Sequence, residues 1–122
     1  MLNYKQGVVV LGHGSRYQAG LSVITETAAR FQSQHPELKV VPAFIELAAP
    51  CLEDSVSALV EDGHQKVTVV PLFLSFGHHI ATDLPHRMAA LAEQFPQVTF
   101  VTTEPIGADP LLCDIIQARL DG

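Results

Sequence analysis

A chain of 122 residues, 48% hydrophobic and 16% charged, is long enough for one domain with a single core and too apolar to be disordered. Its formal net charge of −6, from 7 Lys+Arg against 13 Asp+Glu, argues against a nucleic-acid binder, which needs a basic face to neutralise phosphates. A small anionic ligand stays open, because a few local donors outweigh a weak global field.

The opening residues MLNYKQG lead into the first strand without the charged-then-apolar pattern of a signal peptide. Gly7–Leu11 is a β-branched run, hence a buried strand. It ends in Gly12-His13-Gly14-Ser15-Arg16, where two glycines let the backbone turn sharply and a ligand approach closely. Ser15 is expected to cap a helix from Tyr17 to about Gln34, with Leu21, Ile24, Ala28 and Phe31 on one face and His35-Pro36 as its stop. Lys39–Ile45 is the second strand. Pro42 inside it cannot donate to a ladder, which predicts an edge strand or a bulge. A helix from about Cys51 to Glu61 follows, with Pro50 near its start and Glu53 and Asp54 in its first turn.

The third strand is read as Val67–Leu74, nearly unbroken apolar sequence suited to a parallel strand covered on both faces, with Pro71 a point where pairing can end early. A loop at Ser75–Gly77 then presents His78 and His79, and the next helix is placed at about Leu84–Gln94 with Pro85 in its first turn. Val98–Thr102 is a fourth strand, and Asp109-Pro110 opens a last helix to about Leu120. Strands alternating with helices predict an α/β fold, a four-stranded parallel sheet with right-handed crossovers and helices on both faces. No apolar run approaches the ~20 residues of a membrane helix. Cys51 and Cys113 lack metal or redox spacing and read as reduced thiols, so a soluble cytoplasmic protein is expected.

His13, Glu46 and His79 each lie just after one of three successive strands, at separations 46 − 13 and 79 − 46, both 33. In an open parallel sheet these positions share the carboxyl edge, where ligands bind. Two imidazoles and a carboxylate suit a divalent first-row ion, Co²⁺, Fe²⁺, Ni²⁺ or Zn²⁺. Plainer readings stand beside this one: His13 as a turn residue, Glu46 as a helix cap, one of His78 and His79 as a mere neighbour. His35 and His64 read as surface histidines, and His86 as one that either faces the cleft or solvent. GHGSR matches neither the G-x-S-x-G elbow nor a Walker loop, and Gly12 and Gly14 lack the third glycine of a dinucleotide fingerprint. A phosphate at Gly14–Arg16, on the helix N-terminus, stays open.

VVVLGHGSR, then AFIELAAP, then PLFLSFGHHIATDLP, with the closing PIGADPLLCDIIQARL, resembles the short form of the class II, ATP-independent tetrapyrrole chelatases over nearly the whole chain. The resemblance implies a chelatase-like (flavodoxin-like) fold and insertion of Co²⁺ or Fe²⁺ into sirohydrochlorin, for cobalamin or sirohaem synthesis. It makes His13, Glu46 and His79 the catalytic and metal-binding residues. His79 matches the histidine of the family's H-x-x-x-D-[IL]-P motif, completed here by Asp83, Leu84 and Pro85, whereas His78 lies outside that pattern. No cofactor beyond the metal substrate is implied. Residues 1–122 would form one half of a two-domain cleft, completed by homodimerisation.

Metallation exchanges two pyrrole N–H protons for one divalent ion, and imidazole, with an ordinary pKa of ~6.5, both binds metal and accepts protons near neutral pH. Sirohydrochlorin is rich in carboxylates, so local donors must offset the net charge. Those expected are the N–H groups around Gly14 and Ser15, the Arg16 and Arg87 side chains, and Ser75, with His78 and Asp83 completing the substrate-binding set. Two other classes remain: a metal- or tetrapyrrole-binding module that carries without inserting, and a small phosphate-binding or phosphoryl-transfer enzyme built on the GHGSR loop.

Overall fold

The computed structural model describes residues 6–122; the leader-free start read at residues 1–5 lies outside them. Four parallel strands, β1 (Gln6–Gly12), β2 (Lys39–Phe44), β3 (Lys66–Pro71) and β4 (Thr99–Thr102), form one sheet in the order β2-β1-β3-β4. They alternate with helices α1 (Gln18–Gln34), α2 (Leu52–Glu61), α3 (His78–Gln94) and α4 (Leu111–Asp121). The expected α/β fold is therefore observed.

The period of two along each strand divides the core. Val9 and Leu11 of β1, Ala43 of β2 and Val67 and Val69 of β3 point to one face, where α2 (Leu52, Val56, Leu59) and α3 (Ile80, Leu84, Met88, Leu91) cover them. Val10, Val40 and Phe44 point to the other face, under Ile24 and Ala28 of α1. Pro42 is accommodated because β2 is an edge strand, paired only with β1, where it lies opposite Val10.

Two boundaries differ from the sequence reading by more than one residue. β3 ends at Pro71 rather than Leu74, since the proline supplies no further ladder donor; the Leu72 N–H still reaches the Leu11 carbonyl at 2.8 Å. Helix α3 begins at His78, before the expected Leu84 by more than a turn, with Gly77 as its N-cap and the Ala81 N–H donating to the Gly77 carbonyl at 3.0 Å. Pro85 is thus inside the helix, forfeiting the bond to the Ala81 carbonyl. Burial of Ile80 and Leu84 on the same face as Met88 and Leu91 carries the helix through that defect while Pro85 faces outward. His78 and His79 consequently sit on the first helical turn, not on a strand-end loop.

Two smaller corrections concern polar side chains. Tyr17, not Ser15, is the N-cap of α1, and the Ser15 hydroxyl instead accepts from the Tyr17 N–H at 3.0 Å, closing a local turn. His64, read as a surface residue, is only 5% exposed; its Nδ1 lies 2.9 Å from the Leu59 carbonyl, so the ring N–H donates there. Among the described residues no helix is long and apolar enough to cross a membrane.

Candidate metal centre

The β1–β2 ladder does not stop where the strands end. The Ile45 N–H donates to the Gly12 carbonyl (3.0 Å) and the Glu46 N–H to the His13 carbonyl (3.1 Å), so the residues after both strands stay in register. Their side chains meet: His13 Nε2 lies 3.3 Å from Glu46 Oε1, with the two groups 53% and 47% exposed. An ionised carboxylate only accepts, so this contact places the imidazole hydrogen on Nε2. For Nε2 to bind a divalent ion, the ring takes its other neutral tautomer, with the hydrogen on Nδ1. Two ligand atoms 3.3 Å apart, each about 2.1 Å from a shared ion, subtend roughly 100° at it, between the octahedral and tetrahedral angles. The separation alone is that of two ligand atoms on one ion.

Close packing of the two loops fixes this geometry. Gly14 has φ +110°, a region open to glycine, and a Cβ there would strike the Glu46 carbonyl oxygen. Leu47, next to Glu46, holds φ +66° despite its side chain, and the Ala49–Pro50 peptide is cis. A left-handed leucine costs energy, and such outliers concentrate at functional sites. Phe73, just past β3, lies with its ring centroid 6.1 Å from that of His13, and Phe76 meets Phe73 edge-on at 5.8 Å.

His79 is exposed on the first turn of α3, where it lines a shallow concavity of about 320 Å³ with His78, Thr82, Asp83 and His86. Among the described residues no three His, Cys, Asp or Glu groups converge as a metal cluster. The structure thus brings His13 and Glu46 together and leaves His79 on the neighbouring helix end. Ser75 and Arg16 are exposed beside these loops, and no carboxylate pairs with Arg16 among the described residues. Three large apolar side chains project from the same edge: Tyr17 after β1, Leu47 after β2 and Leu74 after β3. Reading for polar ligands passed over them, although each follows a strand within a few residues of a candidate ligand.

Arg87, expected as a substrate donor, is instead a structural tie. Its Nε and Nη2 donate to the two Glu53 oxygens, each at 2.7 Å, while Nη1 donates to the Ile45 carbonyl (3.0 Å) and to Asp83 (3.4 Å). One guanidinium joins α3, α2 and the residue preceding Glu46, and it occupies the carboxylate of Asp83. Hydrogen bonding from Arg87 outweighs burial and holds the Glu53 carboxyl below its ordinary 4.5. The Arg87 guanidinium is held charged above its usual range, first by its bonds to Glu53.

Replacing Arg87 by Met is therefore expected to cost about 1–2 kcal/mol, the lower range for a partly exposed network. Because the folded pKa of Glu53 is depressed, its contribution is present above about pH 4.5 and lost as pH falls through the folded pKa. Urea unfolding of both proteins between pH 7 and 3 should show the gap narrowing below about pH 4.5. A gap independent of pH would remove the ion pair as its cause.

A profile of the CbiX family matches residues 7–122. The chain belongs to the CbiX family. Among its relatives, the chloroplastic sirohydrochlorin ferrochelatase of Arabidopsis thaliana is 33% identical over 114 residues, covering 93% of this chain and 51% of that protein. A cobalamin (vitamin B12) biosynthesis CbiX protein from Marinobacter aquaeolei superposes with a TM-score of 0.80 at 29% identity, covering 95% of this chain and 98% of the other. The sirohydrochlorin chelatase SirB from Bacillus subtilis subspecies spizizenii, solved in complex with cobalt, superposes with a TM-score of 0.76 at 28% identity, covering 96% of this chain and 50% of that chain. SirB from Bacillus subtilis has also been solved with Fe³⁺. This CbiX chain thus spans about half the length of the ferrochelatase and of SirB.

Proposed function

We propose that this chain inserts a divalent metal, Co²⁺ or Fe²⁺, into sirohydrochlorin without ATP, as a cytoplasmic enzyme in which two symmetric copies face each other across the cleft. The observation that carries the reading is the His13–Glu46 pair, 3.3 Å apart and half exposed at the open carboxyl edge of the sheet. The activities named for the relatives and the ions bound by SirB agree with it.

The reaction releases two protons for each ion inserted. His13 and Glu46 hold the incoming ion, with His79 of α3 as the third ligand in the loaded complex. As the ion passes to the ring nitrogens, the vacated carboxylate and imidazole accept the pyrrole protons. Tyr17, Leu47 and Leu74 give the macrocycle an apolar seat. Arg16, the N–H groups of Gly14 and Ser15, and Ser75 receive its carboxylates, with His78 and Asp83 at the rim.

Anaerobic metallation, followed by the absorbance change with Co²⁺ and Fe²⁺ separately, tests the proposal. Multiple turnover above the spontaneous rate is expected, with His79→Ala slower by about 10²-fold or more and His78→Ala raising the tetrapyrrole concentration needed more than it lowers the turnover rate. Loss in His78→Ala alone would transfer the role to that imidazole. A folded wild type with no rate above background would leave a carrier rather than an enzyme.

A further inference from the structure

One stripe of α3 carries a candidate ligand, an anion and a clamp. His79, Asp83 and Arg87 follow one another at four-residue spacing, each step turning by about 40° around the helix. The stripe sinks as it runs: His79 is exposed at the carboxyl edge of the sheet, whereas the Asp83 side chain is 36% accessible and that of Arg87 20%. Arg87 lies about 12 Å along the axis from His79. Helical side chains lean toward the N-terminus, so its long stem carries the guanidinium back toward that edge.

There the guanidinium meets the segment that carries Glu46. Nη1 donates to the Ile45 carbonyl at 3.0 Å, one residue before Glu46, while Nε and Nη2 close a fork on Glu53 in the first turn of α2, each at 2.7 Å. Both ends of the connection from β2 to α2 are therefore held by one planar group. The Ile45 N–H is itself bonded to Gly12 and the Glu46 N–H to His13, so Arg87 and the His13–Glu46 pair share one hydrogen-bonded frame. His79 joins that frame through α3, the helix that Arg87 anchors.

Stability alone is a weak account of such a tie, because partly exposed ion pairs contribute little. What sets this one apart is where its bonds end. One falls on a main-chain carbonyl next to a candidate ligand, and the stem rises from the helix that bears another. Asp83, between His79 and Arg87 on the same stripe, lies 3.4 Å from Nη1 and steadies the guanidinium from its own helix. A group that orients ligands without touching the ion governs how well a site is preorganised.

We propose that Arg87 is a positioning residue for the metal: it sets the separation between His79 on α3 and the His13–Glu46 pair on the strand loops, so that one ion meets all three. The inference rests on the reading of His79 as the third ligand, and its test is read from metal binding as well as from turnover.

Co²⁺ affinity is measured by calorimetry without tetrapyrrole, well below the melting temperatures, for wild type, Arg87→Met, His79→Ala and the double variant. Arg87→Met is expected to weaken binding by about 10–100-fold, the range for removing a group that orients ligands. Once His79 is absent, the same change should cost no more than about twofold, since nothing is left for Arg87 to align. An equal loss in both backgrounds would overturn the proposal, because Arg87 would then act on the Glu46 loop or on stability alone. Arg87→Lys keeps the charge without the fork and is expected to bind as weakly as Arg87→Met; wild-type affinity in it would overturn the geometric role. Val67→Ala, fully buried at the amino end of β3, is the stability control, and an affinity loss matching that of Arg87→Met would also overturn positioning. Turnover separates the two claims. A wild type that shows the coupling in Co²⁺ binding but inserts no metal would leave Arg87 its role and remove the chelatase reading, whereas turnover without the coupling would do the reverse.

Discussion

His13→Ala is expected to lower the metal-insertion rate by about 10²–10⁴-fold, the range for losing a positioned proton acceptor, while leaving stability within about 0.5 kcal/mol. The two halves of that expectation come from different observations. Catalytic loss follows from the proposed role of the pair, because removing the imidazole leaves a single carboxylate where two ligand atoms stood 3.3 Å apart. Retained stability follows from exposure: the side chain is 53% accessible and its main neighbour, Phe73, is 6.1 Å away between ring centroids. Glu46→Gln keeps the shape but removes the charge, so it should weaken Co²⁺ binding measured by calorimetry in the absence of tetrapyrrole. If His13→Ala retained a rate within about threefold of wild type, the pair would be a loop clasp and not the metal centre.

Most of the architecture was legible because strand and helix periods were clean. Val8–Leu11 is apolar on both faces and Val67–Val70 nearly so, interrupted by Thr68, as strands of a covered parallel sheet read, and one proline offered the edge placement of β2 as one of two readings, the other a bulge. The start of α3 was misplaced because Pro85 outranked the spacing of Ile80, Leu84, Met88 and Leu91; tertiary burial of that face overrides the missing donor. His64 misled because a histidine on a polar turn reads as solvated, and only the fold brings the Leu59 carbonyl to its ring. At the site, sequence spacing put His13 and Glu46 on one sheet edge. It could not say that Arg87 is consumed by Glu53, because those residues sit 34 positions apart on different helices. Nor does a spacing of 33 residues distinguish a strand-end loop from the first turn of a helix, which is where His79 lies.

Gly14→Ala is expected to be the most damaging single substitution near the site, costing about 2–4 kcal/mol in stability and at least 10²-fold in rate. The backbone contribution is about 1–3 kcal/mol, since φ +110° is a conformation that side chains rarely adopt. The remainder comes from the Glu46 carbonyl oxygen, which a new Cβ would strike. That oxygen cannot retreat cheaply: its residue is held by the Glu46 N–H bond to His13, the preceding Ile45 N–H is bonded to Gly12, and the Ile45 carbonyl is held by Arg87. Relief therefore has to come from separating the two loops, and separation pulls Glu46 away from His13. Gly77→Ala is the matched control, because it also lies beside the site but has ordinary φ and nothing within 4 Å of the added carbon; it should change stability by less than about 1 kcal/mol. Urea unfolding and metallation rates of the two alanine variants, measured well below their melting temperatures, decide the matter. Equal effects in both would mean that the His13–Glu46 spacing tolerates loop movement, whereas a loss confined to Gly14→Ala ties the rate to the contact between the loops.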